Sequence, residues 1–249
     1  MSYRSHPALS VLNAICAYFI LTLVTVAQSR ADAISEFSEP FETLNAWEHV
    51  ALPGVPAQAR FELKPNSAGE GSPPNALRFD SASSASILIF SKSLMITEQS
   101  VLRWSWQILN SSSRGDPSEK SGDDYSVRIY LVASSKNSAL TLMDRMRINL
   151  ASAFGGSKPG PTLGYVWTSS PLPRRCFPSP YTKLVKLIGI PRELGKWSTE
   201  EVNPGRDFQE CFGAPLSDEV RLGIMTDSDN TRSTTVGLIS DLKLEVGQR

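Results

Sequence analysis

Val101-Leu-Arg-Trp-Ser-Trp-Gln-Ile-Leu109 alternates, with Leu102, Trp104, Trp106 and Ile108 on one side of an extended chain and Arg103, Ser105 and Gln107 on the other. Successive side chains of a strand point to opposite faces, so this spacing predicts a strand with one face in a core. Asp124-Tyr-Ser-Val-Arg-Ile-Tyr-Leu-Val132 alternates again: Tyr125, Val127, Ile129 and Leu131 share one face, and Asp124, Ser126, Arg128 and Tyr130 share a markedly polar one. Outward from this pair, Trp47–Ala51, Ala76–Asp80, Ile87–Phe90, Gly164–Thr168, Tyr181–Ile190, Val220–Thr226 and Thr235–Val246 read as further strands. The stretches 64–75 and 111–122, rich in Gly, Pro, Ser and Asn, read as loops between them. The period changes over 139–154, where Leu140, Met143, Met146, Leu150 and Phe154 fall at helical spacing between Ser138 and Gly155-Gly156. Many short strands and one helix predict an all-β fold: an antiparallel two-sheet β-sandwich of jelly-roll, concanavalin-like or carbohydrate-binding-module-like type, with one short inserted helix. A doubly wound parallel sheet would need several helices between strands.

The chain has 249 residues, with 25 Lys+Arg balancing 25 Asp+Glu, 41% hydrophobic residues and no basic run. Zero formal charge leaves no electrostatic footprint for a nucleic-acid backbone. Arg4 and His6 precede an apolar run from Val11 to Ala27, and Ala31-Asp32-Ala33 supplies the small residues of a cleavage site. We expect a signal peptide over 1–33, cleaved near Ala33, and a single β-sandwich domain over 34–249 with no later membrane span. A retained anchor is the alternative. The expected location is periplasmic or secreted. Cys176 and Cys211 then remain as an even pair in a compartment where a disulfide persists. His49 is the one histidine left outside the signal, so His-rich metal sites are excluded.

Six motifs in order carry a resemblance: Trp104-Ser-Trp106; Gly122-Asp-Asp-Tyr125 with Arg128 and Tyr130; Gly164-Tyr-Val-Trp167; Pro178-Ser-Pro-Tyr-Thr182; Asp207-Phe208 with Phe212-Gly213; and Met225-Thr-Asp-Ser-Asp-Asn-Thr231. Together they resemble an uncharacterised exported bacterial family, domain of unknown function 3047. The chain departs from that family's usual pattern at Gly164, where Asn is expected, and at Cys176-Phe177, where Trp is expected. More distantly, Phe41-Glu42 with Trp47, the strand Asn75-Ala-Leu-Arg-Phe79 and the strand Ile239-Ser-Asp-Leu242 are similar to the entry and exit strands of jelly-roll carbohydrate-binding modules. That resemblance implies a structural calcium ion shared by the terminal strands, with Glu42 and Asp241 as the matching oxygen donors; the alternative leaves both as surface acids.

Two acidic clusters stand out, Asp123-Asp124 and Asp227-Ser-Asp229-Asn230. If the two loops meet at one edge, they offer oxygens to a calcium ion or two carboxylates to a glycosidic bond. The alternative is a turn closed by Asx hydrogen bonds. The spacing after Asp227 lacks the glycine and closing acid of an EF-hand. A second candidate surface is a polar shelf on which Arg103, Gln107, Asp124, Arg128 and Tyr130 hydrogen-bond hydroxyls while Tyr165 or Trp167 stacks on a sugar face. The sequence contains no nucleophile elbow, P-loop, dinucleotide fingerprint or metalloprotease motif. The expected function is an exported, non-catalytic protein binding a glycan or another hydroxylated ligand. The alternatives are a jelly-roll glycosidase or lyase and an envelope structural or interaction protein.

Overall fold

The computed structural model describes residues 34–246 apart from 35, 53, 66–72, 112–117, 135–158, 173 and 216–218. The expected signal over 1–33 and the expected helix over 139–154 lie outside the described residues. Among the described residues no helix is long and apolar enough to cross a membrane.

Among the described residues, thirteen strands build two sheets. In chain order they are β1 (Glu36–Glu39), β2 (Trp47–Ala51), β3 (Arg60–Pro65), β4 (Asn75–Ala82), β5 (Ala85–Met95), β6 (Val101–Asn110), β7 (Arg128–Ser134), β8 (Pro159–Thr168), β9 (Phe177–Pro178), β10 (Val185–Pro191), β11 (Ser198–Val202), β12 (Glu219–Asp227) and β13 (Thr234–Glu245). One sheet runs β11-β6-β13-β4-β3, with β1 also on β13; the other runs β2-β5-β12-β7-β8-β10-β9. Pairing is antiparallel except between β8 and β10, which run parallel. A parallel pair needs a long crossover, and residues 169–184 supply it.

The alternation of β6 sets the core as read. Leu102, Trp104, Trp106 and Ile108 are fully buried between the sheets, against Ile129, Leu131, Leu163 and Tyr165 of the facing sheet. Burying side chains of this size contributes roughly 1.5–3 kcal/mol each. The expected strand over Asp124–Val132 begins later, at Arg128, because residues 123–127 form an irregular lead-in after a 3-10 turn at Lys120–Gly122.

The polar face expected on β7 is not a solvated one. Tyr130 and Val132 join Ile87, Ile89, Val166, Leu187 and Met225 in a second apolar cluster on the outer face of the seven-stranded sheet, with Val50, Leu52, Val55 and Leu172 packed against it. Gly164 makes this packing possible: a Cβ there would stand 2.8 Å from a ring carbon of Tyr130 and 2.7 Å from Leu187. A larger residue would push the ring away.

The described helix, α1 (Pro204–Phe212), was not read from the sequence. Its signals are local and complete: Asn203 caps it by accepting from the Arg206 amide at 2.8 Å, Pro204 opens it, and Gly213 ends it in the left-handed region at φ 69°. The Cys176–Cys211 disulfide ties its last turn to the segment before β9. Asp207 accepts from the Tyr165 hydroxyl at 2.8 Å and pairs with Arg175, fastening its first turn to the core.

Candidate functional site

The antiparallel register of β7 and β12 places Met225 opposite Arg128. The residues entering β7 therefore meet the residues leaving β12, and the two acidic clusters of the sequence come together at one sheet end. Asp124 closes the turn after β12: its carboxylate accepts from the amides of Asn230 (3.2 Å) and Thr231 (2.7 Å) and from the Thr231 hydroxyl. Ser228 is bound to Ser81 at 2.7 Å, which fixes the turn to the neighbouring hairpin. The Tyr125 amide donates to Asp227 at 2.9 Å.

Arg128 lies at the centre. Its guanidinium pairs with Asp227, donates to the Asp123 carbonyl at 2.6 Å, and reaches the Asp123 carboxylate at 3.4 Å and the Tyr130 hydroxyl at 3.2 Å. It stands 4.7 Å from the centre of the Tyr125 ring. Burial, with Asp124 and Asp123 close by, pushes Asp227 up to about 8 in spite of the guanidinium. Burial likewise raises Asp123 and Asp229, and drives the Tyr130 phenol up to about 12. Three buried polar atoms here have no hydrogen-bond partner among the described residues: Asp123 Oδ1, Arg128 Nε and the Tyr125 hydroxyl.

The rim is more open. Asp124, Asp229, Asn230 and Thr231 are half-buried and Tyr181 is 37% exposed. The Tyr181 hydroxyl faces Asn230 Oδ1 at 3.2 Å and the Lys120 carbonyl at 3.4 Å, while the Lys120 ammonium lies 5.3 Å from the ring centre. Burial and the charge of Asp123 raise the Tyr181 phenol.

The shelf expected from alternation is thus divided. Asp124, Arg128, Tyr130, Asp227, Asp229 and Asn230 come together, but Arg128 and Tyr130 are 3% and 2% exposed and sit beneath the rim. Arg103 and Gln107 belong to β6 in the other sheet, where Arg103 pairs with Glu201 and Glu245 and Gln107 donates to the Gly195 carbonyl. They are no part of this site. Tyr165 and Trp167, expected to stack on a ligand, point inward instead: Tyr165 contacts Trp104 with ring centres 5.4 Å apart, and Trp167 is 3% exposed. The aromatic ring at the rim is Tyr181; the strand expected over Tyr181–Ile190 begins only at Val185, so Tyr181 lies in the loop before β10, where alternation does not apply. Its signal was the Pro-Ser-Pro-Tyr-Thr motif.

Glu42 is exposed, while Asp241 is half-buried at a register shift in β13 with φ 52°. Neither belongs to the one group of three or more potential metal-ligating residues among the described residues, Asp124, Asp227 and Asp229.

The family described as "Protein of unknown function (DUF3047)" matches residues 45–243. No curated protein matches the chain. Among solved structures, a cellulose induced protein is 12% identical, with 86% of this chain and 100% of that one covered at a TM-score of 0.44. The family 30 carbohydrate-binding module of a Clostridium thermocellum cellulosomal cellulase is 8% identical, with 87% and 94% covered at 0.38. Lectin I-B4 from Griffonia simplicifolia is 11% identical, with 84% and 98% covered at 0.42.

Proposed function

From the premise that the chain belongs to the DUF3047 family, whose description assigns no activity, we propose an exported, non-catalytic binding protein that takes a glycan or another hydroxylated ligand at the rim formed by Tyr181, Asn230, Asp124 and Asp229. The observation that carries this reading is the anchored Tyr181 ring beside half-buried carboxylates and an amide. A sugar presents both C–H and O–H surfaces, so it is held by an aromatic face and by fixed polar groups together. Here the phenol is held by Asn230 and Lys120, and the polar groups are held by the turn after β12. Little ordering is left to be done on binding.

Burial argues against catalysis. The Tyr130 phenol is driven up to about 12 and is 2% exposed, so it is a poor base, and Asp227 is 3% exposed and paired with Arg128. The Cys176–Cys211 disulfide supports export into an oxidising compartment.

A glycan array followed by calorimetry on the hits tests the reading, with Tyr181→Ala and Asn230→Ala as comparison proteins. Retention by the unmodified protein and loss in both variants is expected. No retained glycan, or equal retention by the variants, would overturn it. Release of reducing ends or unsaturated products from a retained polysaccharide, abolished by Asp227→Asn, would replace it with the enzyme reading.

A further inference from the structure

We propose that Lys120 and Asp229 are the residues that read a ligand's polar groups at the Tyr181 rim, one donating and one accepting, and that this opposed pair selects uncharged glycans over acidic and amine-bearing ones. The inference rests on the reading of the rim as a glycan site, and adds to it a residue, Lys120, and a class of ligand. Most polar groups at the rim are already engaged. Asp124 accepts from two amides and the Thr231 hydroxyl, and that hydroxyl also meets Ser233 at 2.8 Å. The Asn230 side chain holds the Tyr181 hydroxyl with its oxygen and the Asp123 carbonyl with its amide group. Two groups remain. The Lys120 ammonium is in no ion pair among the described residues and lies over the Tyr181 ring, 5.3 Å from its centre. Among those residues the Asp229 carboxylate accepts only from its own backbone amide.

The fold sets these two on either side of the phenol. The Tyr181 hydroxyl faces the Lys120 carbonyl at 3.4 Å and Asn230 Oδ1 at 3.2 Å, and Asp229 directly precedes Asn230. Burial and the charges of Asp123 and Asp229 raise that phenol, as their nearness requires. Both backbones are held: the Lys120 carbonyl also accepts from the Asp123 amide, closing the 3-10 turn, and the Asp229 carbonyl accepts from the Arg232 amide, closing the turn after β12. The Lys120 side chain is exposed, and its flexible stem lets the ammonium move from the ring to a ligand oxygen at the ring's edge.

A hydroxyl both donates and accepts. With the carbon face of a sugar on the Tyr181 ring, one hydroxyl donates to the Asp229 carboxylate and another accepts from the Lys120 ammonium. The same pair acts against charged sugars. A uronate brings a carboxylate to a rim that already holds Asp229, with Asp124 and Asp123 behind it; an unacetylated amino sugar brings an ammonium to Lys120, with Arg128 behind. Like charges set side by side discriminate against a ligand more strongly than a good contact favours one. An uncharged sugar meets neither repulsion.

The test is an array of neutral, uronate-bearing and free-amine glycans at low salt, followed by calorimetry on those retained, with the unmodified protein, Lys120→Met, Asp229→Asn and Tyr181→Ala. The unmodified protein should retain neutral glycans alone. Lys120→Met and Asp229→Asn should each bind the retained neutral glycan roughly 10-fold or more weakly. Their selectivity should move in opposite directions: Asp229→Asn gains uronate-bearing glycans, and Lys120→Met gains free-amine ones. Neither side chain is buried, so both variants should melt within about 2 °C of the unmodified protein, which separates lost contacts from lost folding. Retention that is lost in Tyr181→Ala but unchanged in Lys120→Met or in Asp229→Asn overturns this assignment alone. So does an unmodified protein that holds charged glycans as tightly as neutral ones. Absence of any retained glycan overturns the rim reading and this assignment together.

Discussion

Arg128 on β7 and Asp227 at the end of β12 are 99 residues apart in the chain and form an ion pair whose side chains are each 3% exposed. Above about pH 8, where Asp227 is ionised, removing one member of such a pair leaves the other charged and buried, which costs about 3–5 kcal/mol. At pH 9, Arg128→Met should lower the urea midpoint accordingly at unchanged slope. Arg128→Met combined with Asp227→Leu should recover part of the loss, because Asp227 is then no longer stranded while the buried Asp123, which shares the guanidinium, still is. A double variant as unstable as the single one would show that the arginine acts by some route other than pairing with Asp227.

The same cluster gives stability a pH dependence of definite sign. An unfolded aspartate titrates near 3.9, whereas Asp227 in the fold is pushed up to about 8. Between these values the folded chain keeps a proton that the unfolded chain has released, so stability falls as pH rises from about 4 to about 8 and then levels. Burial moves Asp123 and Asp229 in the same direction. Melting temperatures should therefore decline from pH 5 to pH 8, and Asp227→Asn should flatten the decline. A melting temperature that rises over this range would contradict the assignment.

The core was legible wherever one face of a strand packs and the other does not, as in β6, whose Leu102, Trp104, Trp106 and Ile108 were read and are buried. The polar face of β7 was misread because alternation reports the facing of side chains and says nothing of what covers them. A cue existed in β5 and β12. Ile87-Leu-Ile-Phe90 and Leu222-Gly-Ile-Met225 are apolar at successive positions, the pattern of strands buried on both faces. The meeting of Asp123-Asp124 with Asp227–Asn230 depends on the β7–β12 register, and the approach of Tyr181 depends on the parallel β8–β10 pair. Both are long-range pairings that local residue patterns do not encode.

The Cys176–Cys211 bond closes a separation of 35 residues, for which chain entropy gives a stabilisation of up to about 4 kcal/mol. Cysteine-to-serine replacement at both positions should lower the melting temperature and speed proteolysis at α1 and the 174–178 segment. Tyr165 and Arg175 still hold Asp207, so the helix should loosen at its last turn before its first. Amide hydrogen exchange that is uniform along α1 would show that the disulfide does not divide the helix in this way. Ligand retention at the Tyr181 rim should not change.

Tyr181 contributes a ring and a hydroxyl, and the two can be separated. Tyr181→Phe keeps the aromatic face and removes the contacts to Asn230 and the Lys120 carbonyl; Tyr181→Ala removes both. If stacking on an apolar sugar face supplies most of the rim's affinity, the Phe variant should bind within a few-fold of the unmodified protein and the Ala variant roughly 10-fold or more weaker, since about 1.4 kcal/mol corresponds to a tenfold change. Because the side chain is 37% exposed and lies outside both apolar clusters, neither change should move the melting temperature by more than about 2 °C. Calorimetry with a retained glycan reads the affinities, and a melt on the same samples reads the stability. Equal affinities for the two variants, both far below the unmodified protein, would instead assign recognition to the hydroxyl and its hold on Asn230, leaving the ring as a spacer.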